Sequence, residues 1–188
     1  MKGRRAVSEE LASTVAVAPS RPSSRATVRA AGIADIPVLL ELGRRNHAQS
    51  RFGYMTFDNE KSTLLAQRLL SDPRRYALLV VERDGQAVGY ICGQIGEALF
   101  SRDLLATILM YYVLPSARNG KAAVRLLQAF REWARRRGAR EVDIHVTSGV
   151  YIARTDRFLR RLGFRQIGGN YVSLLENGTA AGGQGAVT

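Results

Sequence analysis

One segment constrains this chain's fold most strongly. It is an apolar strand pattern that ends at a proline and is followed by a short loop and an amphipathic helix. The segment Ala106–Leu114 is apolar, and Pro115 ends it. From Ala122 to Arg137, apolar residues recur every three or four positions, which is the spacing of one helix face. A further alternating strand, Glu141–Val146, follows. A strand, a helix and a strand in this order predict a crossover connection within a sheet.

The first half of the chain predicts antiparallel neighbours for that sheet. Two strand patterns, Tyr76–Glu82 and Ala87–Ile95, flank Asp84-Gly85, which is a strong hairpin signal. The other predicted elements are a strand Thr27–Ala30, a helix capped by Asp35, a helix beginning near Asp58, a helix Tyr151–Leu162 and a final strand or strands Phe164–Leu175. This order predicts an α/β (α+β) fold, with a mixed, mostly antiparallel sheet flanked by about four helices.

Composition divides the 188 residues into three parts. Residues 1–25 combine basic residues with Ser and Pro and predict a flexible basic arm, whereas residues 176–188 predict a flexible Gly- and Ala-rich tail. One folded domain is predicted over residues 26–175. The apolar stretch Val15–Ala18 is too short for a signal-peptide core. We therefore expect a cytoplasmic protein that does not enter a membrane.

The net charge of +12 predicts an anionic partner. Residues 118–165 contain thirteen Lys and Arg against four acidic residues, so most of the excess lies in the second half of the domain. A phosphate-rich small molecule and a nucleic acid both fit this charge, and a solvated basic surface is the alternative.

Cys92 is the single cysteine and is predicted to be buried and inert. With only two histidines beside it, we expect no metal site.

The loop between the strand and the helix has the composition of a phosphate-binding site. Backbone N–H groups in the first turn of a helix lack helical partners and lie at the positive end of the helix dipole. Arg118 and Lys121 add charge there, and the small Ala122 and Ala123 allow a ligand close to the backbone. An ordinary connection with surface cations is the alternative. The Gly-Lys-Ser/Thr ending of a P-loop is absent, and so are the three spaced glycines of a dinucleotide-binding fingerprint.

Several motifs in this order resemble the GNAT superfamily of acyl-CoA-dependent N-acetyltransferases. Val113-Leu114-Pro115 is similar to the family's strand end, and Arg118 to Ala123 is similar to the loop motif that follows. Leu126-Leu127 falls where the family has a leucine pair, and Leu162-Gly163-Phe164 resembles its signature after the last helix. The resemblance covers about residues 26–175 and implies a sheet splayed at the strand Ala106–Leu114.

The resemblance implies acetyl transfer from acetyl-CoA to a primary amine by direct attack in a ternary complex. It implies acetyl-CoA binding by Tyr112, Val113, Arg118, Asn119, Gly120, Lys121, Ala122 and Ala123, with a backbone N–H near Val113 for the oxyanion. The chain departs from the family pattern at three positions. Lys121 stands where glycine is usual, Met110 where a carboxylate is often found, and Leu159 where a tyrosine often protonates the thiolate.

Because two usual catalytic groups are replaced, other polar residues are candidates for their roles. Glu97, Tyr111 and His145 are the candidate catalytic residues. Tyr151 and Tyr171 are further candidates as thiolate donors, with packing as the alternative. The family's layout also suggests that His47, Arg51 and Phe52 shape the acceptor site.

Two other functions stay open at this point. The replaced residues are compatible with a catalytically weak or silent protein that keeps the fold as a scaffold. The helix arginines are compatible with a nucleic-acid-associated protein, which is less favoured because no aromatic residues alternate with them. A homo-oligomer and the identity of the amine acceptor also stay open.

Overall fold

The computed structural model describes residues 26–118 and 121–174, and it confirms the mixed α/β fold. The predicted arm and tail, and the loop residues Asn119 and Gly120, lie outside the described residues. The strands are β1 (Thr27–Ala30), β2 (Tyr76–Arg83), β3 (Gln86–Glu97), β4 (Leu104–Val113) and β5 (Ala139–Ile144). The helices are α1 (Ile36–Ala48), α2 (Asn59–Ser71), α3 (Ala122–Arg136) and α4 (Ile152–Arg161).

The five strands form one open sheet in the order β1-β2-β3-β4-β5. The first four strands are antiparallel neighbours, and β5 pairs with β4 in parallel. Asp84 and Gly85 join β2 to β3 with φ values of 53° and 76°, as a tight hairpin of matching twist requires. The α3 crossover supplies the parallel connection that the sequence predicts.

Each face of the sheet carries its own apolar cluster. On one face, the fully buried Leu126, Leu127 and Phe130 of α3 pack on β2, β3 and β4. On the other face, Leu39 and Leu42 of α1 and Leu69 of α2 pack on the sheet. Neighbouring residues of β4 therefore point into different clusters, as the period of two in a strand dictates.

Asp35 and Asp58 precede α1 and α2 at the predicted positions, but their side chains form different hydrogen bonds. Asp58 caps α2, with its Oδ1 accepting from the Lys61 N–H at 3.0 Å. Asp35 precedes α1 as predicted, but its carboxylate accepts from the Gly32 N–H and from the guanidinium of Arg29. Asp35 therefore joins β1 to the start of α1.

The prediction of a final strand is wrong for the described residues 164–174, which contain no strand. The apolar side chains that suggested it, including Ile167 and Val172, lie exposed, because no neighbouring strand pairs with this segment in the described part of the chain. Phe164 alone packs against the α3 cluster. The alternation of apolar and polar residues predicted that this segment could form a strand. A strand also needs the backbone of a neighbouring strand for its hydrogen bonds.

None of the helices in residues 26–118 and 121–174 is long and apolar enough to cross a membrane.

Candidate active site

The sheet opens between β4 and β5. These strands pair from Leu104 to Ile108 on β4, with Ile144 opposite Ile108 as the last pair. Beyond this point β4 continues to Val113, whereas β5 ends. The register of β3 against β4 shifts between Ile108 and Met110, so Leu109 is an extra residue there. Within the described residues, the second half of β4 therefore borders a slot with no strand on its other side, as the predicted splay requires.

Backbone groups of β4 face this slot. The Leu114 N–H donates to the Val88 carbonyl at 2.9 Å, so this end of β4 directs Leu114 toward β3. Backbone groups alternate along an antiparallel pair, which directs those of Tyr112 toward β3 and those of Tyr111 and Val113 toward the slot. The Val113 carbonyl accepts from Arg118. The Val113 N–H is thus a slot-facing donor, as the family resemblance implies for the oxyanion.

The first turn of α3 lies directly after β4. The N–H of Arg125 donates to the Lys121 carbonyl at 2.9 Å, and the amides of Ala122, Ala123 and Val124 precede this first helical bond. The turn has no acidic residue, and Lys121 gives it no side-chain cap. Lys121 is exposed, Ala122 is buried, and Ala123 lines the cavity next to the slot. This turn fits the phosphates of a nucleotide-type ligand.

Arg118 is a bridge as well as a cation. Its Nε donates to the Val113 carbonyl at 2.9 Å, and Nη2 donates to Oε1 of Gln49 at the end of α1 at 3.0 Å. The guanidinium also lies 5.7 Å from the ring centre of Tyr112. Arg118 therefore ties the loop before α3 to the end of β4 and to the α1 side of the slot.

A cavity of about 690 Å³ fills the space between the slot and the α1–α2 loop. Tyr111, Tyr112, Val113, Arg118, Ala123 and His145 all line it, so six of the predicted site residues come together. Phe52 of the α1–α2 loop also lines it, as does His47 in the last turn of α1. The suggestion that this loop shapes the acceptor side is thus consistent with the geometry.

The α1–α2 loop is joined to the β5–α4 loop across the cavity. The Arg51 N–H donates to the Ser148 carbonyl at 2.7 Å, and its Nε donates to the Thr147 carbonyl at 2.9 Å. Arg51 itself does not line the cavity, whereas Thr147 and Ser148 do. The cation predicted for the acceptor site thus connects two of its walls.

Tyr111 and Tyr112 face opposite sides of β4, and both lack a hydroxyl partner. Each hydroxyl is buried and forms no hydrogen bond among the described residues. Tyr111 stacks on Phe158 of α4 at 6.4 Å with an interplanar angle of 11°. Burial raises the pKa of the Tyr111 phenol, so this group keeps its proton at neutral pH. It can donate a hydrogen bond but cannot serve as a base.

His145 follows β5 and lies exposed at the cavity wall. Its Nε2 lies 3.8 Å from Oδ2 of Asp143, close enough for a charge interaction when the imidazole is protonated. The other carboxylate oxygen of Asp143 is buried and has no partner among the described residues. His145 is therefore a polar side chain at the cavity wall with a carboxylate beside it.

The structure does not bring Glu97 to the other candidates. Glu97 ends β3, opposite Leu104 at the far end of β4, about 30 Å along the strand from Val113. It is exposed and does not line the cavity. Tyr151 lines the cavity, whereas Tyr171 is 98% exposed and outside it, so neither tyrosine packs in the core.

Cys92 is fully buried, as predicted, and burial raises the pKa of its thiol to about 12. A thiol in this environment stays protonated and does not act as a nucleophile at neutral pH.

Other cavity residues carried no clear signal in the sequence. Asn46 donates to the Tyr90 hydroxyl at 3.2 Å, and that hydroxyl lies 3.8 Å from the sulfur of Met110. These three residues come from α1, β3 and β4, and only the tertiary fold brings them together. Arg154 and Phe158 of α4 also line the cavity. Their spacing of four residues on one helix could have indicated a shared face.

Much of the basic surface of α3 and α4 is engaged within the chain. Arg135 and Arg136 both pair with Glu132, and Arg160 pairs with Asp156. Arg137 lies 4.7 Å from the ring centre of Trp133 and donates to the Pro73 and Arg74 carbonyls. These arginines bind neighbouring carboxylates or backbone carbonyls, so part of the basic surface has partners within the chain.

Comparison with known proteins agrees with this geometry. The profile of the Acetyltransferase (GNAT) family matches residues 44–164. No curated protein matches the chain. Solved structures of similar fold are numerous, and three of them are 20% or less identical in sequence to this chain.

Three of these structures illustrate the range. An integron cassette protein from the mobile metagenome of Cole Harbour Salt Marsh has a TM-score of 0.65 and 20% identity, covering 80% of this chain and 90% of its own. AAC(6')-Iy, in complex with the bisubstrate analog CoA-S-monomethyl-acetylneamine, has a TM-score of 0.66 and 16% identity, covering 82% and 99%. Glucosamine-6-phosphate N-acetyltransferase from Arabidopsis thaliana has a TM-score of 0.65 and 12% identity, covering 81% and 99%.

At these identities the structural matches establish the fold, and the profile, which spans more than half of the chain, establishes the family. The expectation drawn from the motifs around Pro115 and Gly163 is therefore confirmed. The chain belongs to the GNAT acetyltransferase family.

Proposed function

We propose that this protein transfers an acetyl group from acetyl-CoA to a primary amine. The observation that carries the proposal is the open edge of β4, where the Val113 N–H faces a slot that ends at the first turn of α3. A thioester carbonyl in the slot would meet a fixed hydrogen-bond donor, and the phosphates of CoA would meet free helix amides and Lys121.

The reaction needs few groups beyond this positioning. The amine nitrogen attacks the thioester carbon, the C–S bond breaks, and CoA leaves as a thiolate while the amine loses one proton. An alkylammonium has a pKa near 10.4 in water, so a neutral amine is the scarce species. The cavity walls carry Arg118 and Arg154 and, among the described lining residues, no carboxylate. A positive environment lowers the pKa of a bound ammonium and so favours the attacking form.

His145 and Tyr111 are the proposed proton-handling residues. His145 is the proposed acceptor of the amine's proton at the cavity wall, and the Asp143 carboxylate 3.8 Å from its Nε2 stabilises the positive charge that the imidazole then carries. We propose that Tyr111, whose phenolic pKa is raised by burial, keeps its proton and donates a hydrogen bond to the departing sulfur. Because a thiol has a pKa near 8.5, this second transfer needs only modest assistance. Glu97 has no part in this scheme.

Binding of acetyl-CoA is the first test. At 100 times its dissociation constant, acetyl-CoA is expected to stabilise the protein by about 2.7 kcal/mol, measured as a shift in thermal unfolding. Ala123→Asp places a carboxylate in the first turn of α3, where it favours the helix dipole but repels phosphate. We expect this variant to fold and to lose the acetyl-CoA shift. Gln128→Glu, an exposed acidic substitution later on α3, is the matched control and keeps the shift.

Release of CoA thiol in the presence of amines is the second test. CoA release that depends on an amine supports the transferase. Acetyl-CoA binding without CoA release for any amine would favour a silent binding protein instead. The absence of any acetyl-CoA shift would contradict both.

A further inference from the structure

The acceptor half of the cavity is apolar where it is open to a ligand. Among large apolar side chains that are substantially exposed, Met55, Leu65 and Leu109 line this cavity. Leu39 and Leu69 form its floor from α1 and α2. Exposure of several apolar side chains to water in one cavity is unfavourable, and an apolar ligand that covers them removes this cost.

The polar side chains on this side include no Asp or Glu among the described lining residues, and several are engaged within the chain. Asn46 already donates its amide to Tyr90, and His47 packs edge-on against Phe57 with 5.5 Å between ring centres. Gln49 accepts from Arg118. Ser50 and Ser62, which also line the cavity, donate to the carbonyls of His47 and Asp58. Much of the hydrogen-bonding capacity of the α1–α2 side is thus used within the chain, which disfavours a heavily hydroxylated or multiply charged ligand.

The charged groups of the cavity have one sign. The lining includes Arg118 and Arg154, and it includes no Asp or Glu among the described residues. Asp143 contacts His145 at the cavity wall but does not itself line the cavity. A ligand with two or more ammonium groups would have to leave water for a cavity that offers them no counter-ion, at a large desolvation cost.

We infer that the acceptor is a monoamine with an apolar body, and that polyamines and aminoglycoside-like polycations are excluded. The inference rests on the proposed function, since it names the substrate class of that same site. One amine can deprotonate beside Arg118 and Arg154 and attack, whereas the further ammonium groups of a polycation stay charged and unpaired. The apolar body lies against Met55, Leu65 and Leu69.

The direct test compares three amines at saturating acetyl-CoA and equal ionic strength: 2-phenylethylamine, spermidine and glucosamine 6-phosphate. The measured quantity is kcat/KM from CoA release, with acetylated product confirmed by mass spectrometry. We expect 2-phenylethylamine to exceed each of the other two by about 100-fold, because the apolar wall favours it and the cavity leaves extra charge or hydroxyl groups unpaired.

A matched pair on α2 tests the cavity wall. Leu65 is 42% exposed and lines the cavity, whereas its neighbour Leu64 is 59% exposed and does not. Leu65→Glu adds the carboxylate that the lining lacks. We expect it to lower kcat/KM for 2-phenylethylamine about 10-fold and to raise kcat/KM for spermidine, with acetyl-CoA binding unchanged. Leu64→Glu is expected to stay within about twofold of the native protein for both amines.

The outcomes separate the inference from the proposed function. Efficient acetylation of spermidine or glucosamine 6-phosphate in preference to 2-phenylethylamine overturns the inference and leaves the transferase proposal standing. Acetyl-CoA binding with no turnover of 2-phenylethylamine also overturns it. If acetyl-CoA does not bind, the proposed function fails and the inference fails with it. If Leu65→Glu lowers the unfolding temperature by more than a few degrees, its kinetics also reflect lost stability. The comparison of the three amines on the native protein then tests the inference by itself.

Discussion

Arg118 holds the carbonyl of Val113 while the N–H of the same residue faces the slot. The Arg118 Nε lies 2.9 Å from that oxygen, and its Nη2 reaches Gln49 on α1 at 3.0 Å. The last residue of β4 is thereby fixed on a side where it has no neighbouring strand. A fixed N–H donor stabilises an oxyanion well, because the N–H is already oriented before the negative charge develops on the oxygen.

This relationship predicts that Arg118 contributes through geometry as well as charge. Arg118→Lys keeps the charge and loses the two-point contact, so we expect acetyl-CoA affinity to fall about fivefold and kcat to fall about 10-fold. Arg118→Ala is expected to lower both further. Isothermal titration with acetyl-CoA and steady-state kinetics measure the two effects. Arg102→Ala, at an exposed position in the β3–β4 loop, is the control and changes neither. Equal kinetics for Arg118→Lys and the native protein would contradict the geometric role.

The two buried tyrosines Tyr90 and Tyr112 predict opposite responses to loss of a hydroxyl. The Tyr90 hydroxyl accepts from Asn46 at 3.2 Å, so Tyr90→Phe leaves a half-buried amide unpaired and is expected to cost about 1 kcal/mol. The Tyr112 hydroxyl is buried without a partner among the described residues, so Tyr112→Phe is expected to be neutral or to stabilise by up to about 1 kcal/mol. Urea unfolding of the two variants measures the difference. A larger loss for Tyr112→Phe than for Tyr90→Phe would show that the Tyr112 hydroxyl has a partner in solution.

Local signals in the sequence predicted most of the elements and the part of the site that lies on one segment. Asp58, Asp84-Gly85 and Pro115 act on neighbours within a few residues, so their effects are readable without a fold. The residues proposed to bind acetyl-CoA, from Tyr112 to Ala123, follow one another along the chain and were predicted together.

What depends on distant pairing could not be predicted in this way. The hydrogen bond from Arg51 to the Thr147 carbonyl in the β5–α4 loop joins positions that are 96 residues apart in the chain. The bulge at Leu109 depends on the register against β3, which no local pattern fixes. The prediction of a final strand was wrong for the same reason. The alternation of apolar residues around Val172 does not show which edge of the sheet would pair with this segment.

The ion pair between Asp35 and Arg29 predicts a stability change in acid. The hydrogen bond from Arg29, with a further one from the Gly32 N–H, lowers the pKa of Asp35 to about 2 from its usual 3.8. Stability from a lowered carboxyl pKa is present above about pH 4 and is lost as the pH falls through about 2. Because Arg29 is half exposed, we expect about 1 kcal/mol rather than the full value of the shift. Urea unfolding between about pH 2 and pH 5 measures it. Asp35→Asn should lack this increment, and an unchanged pH profile in that variant would contradict the assignment.

Two glycines of β3 predict a large and a small effect for the same substitution. A Cβ on Gly93 would lie 2.5 Å from Cε2 of Phe130 and would collide with the Thr107 carbonyl on β4. Phe130 is fully buried and Thr107 is held by the β3–β4 pairing, so neither can move cheaply. We expect Gly93→Ala to cost about 3 kcal/mol. Gly96 lies further along the same strand, and a Cβ added there would have no atom within 4 Å, so Gly96→Ala is expected to be neutral or to stabilise slightly. Denaturant unfolding of both variants measures the contrast. Similar stabilities for the two would mean that β3 and α3 are not packed as closely as this register requires.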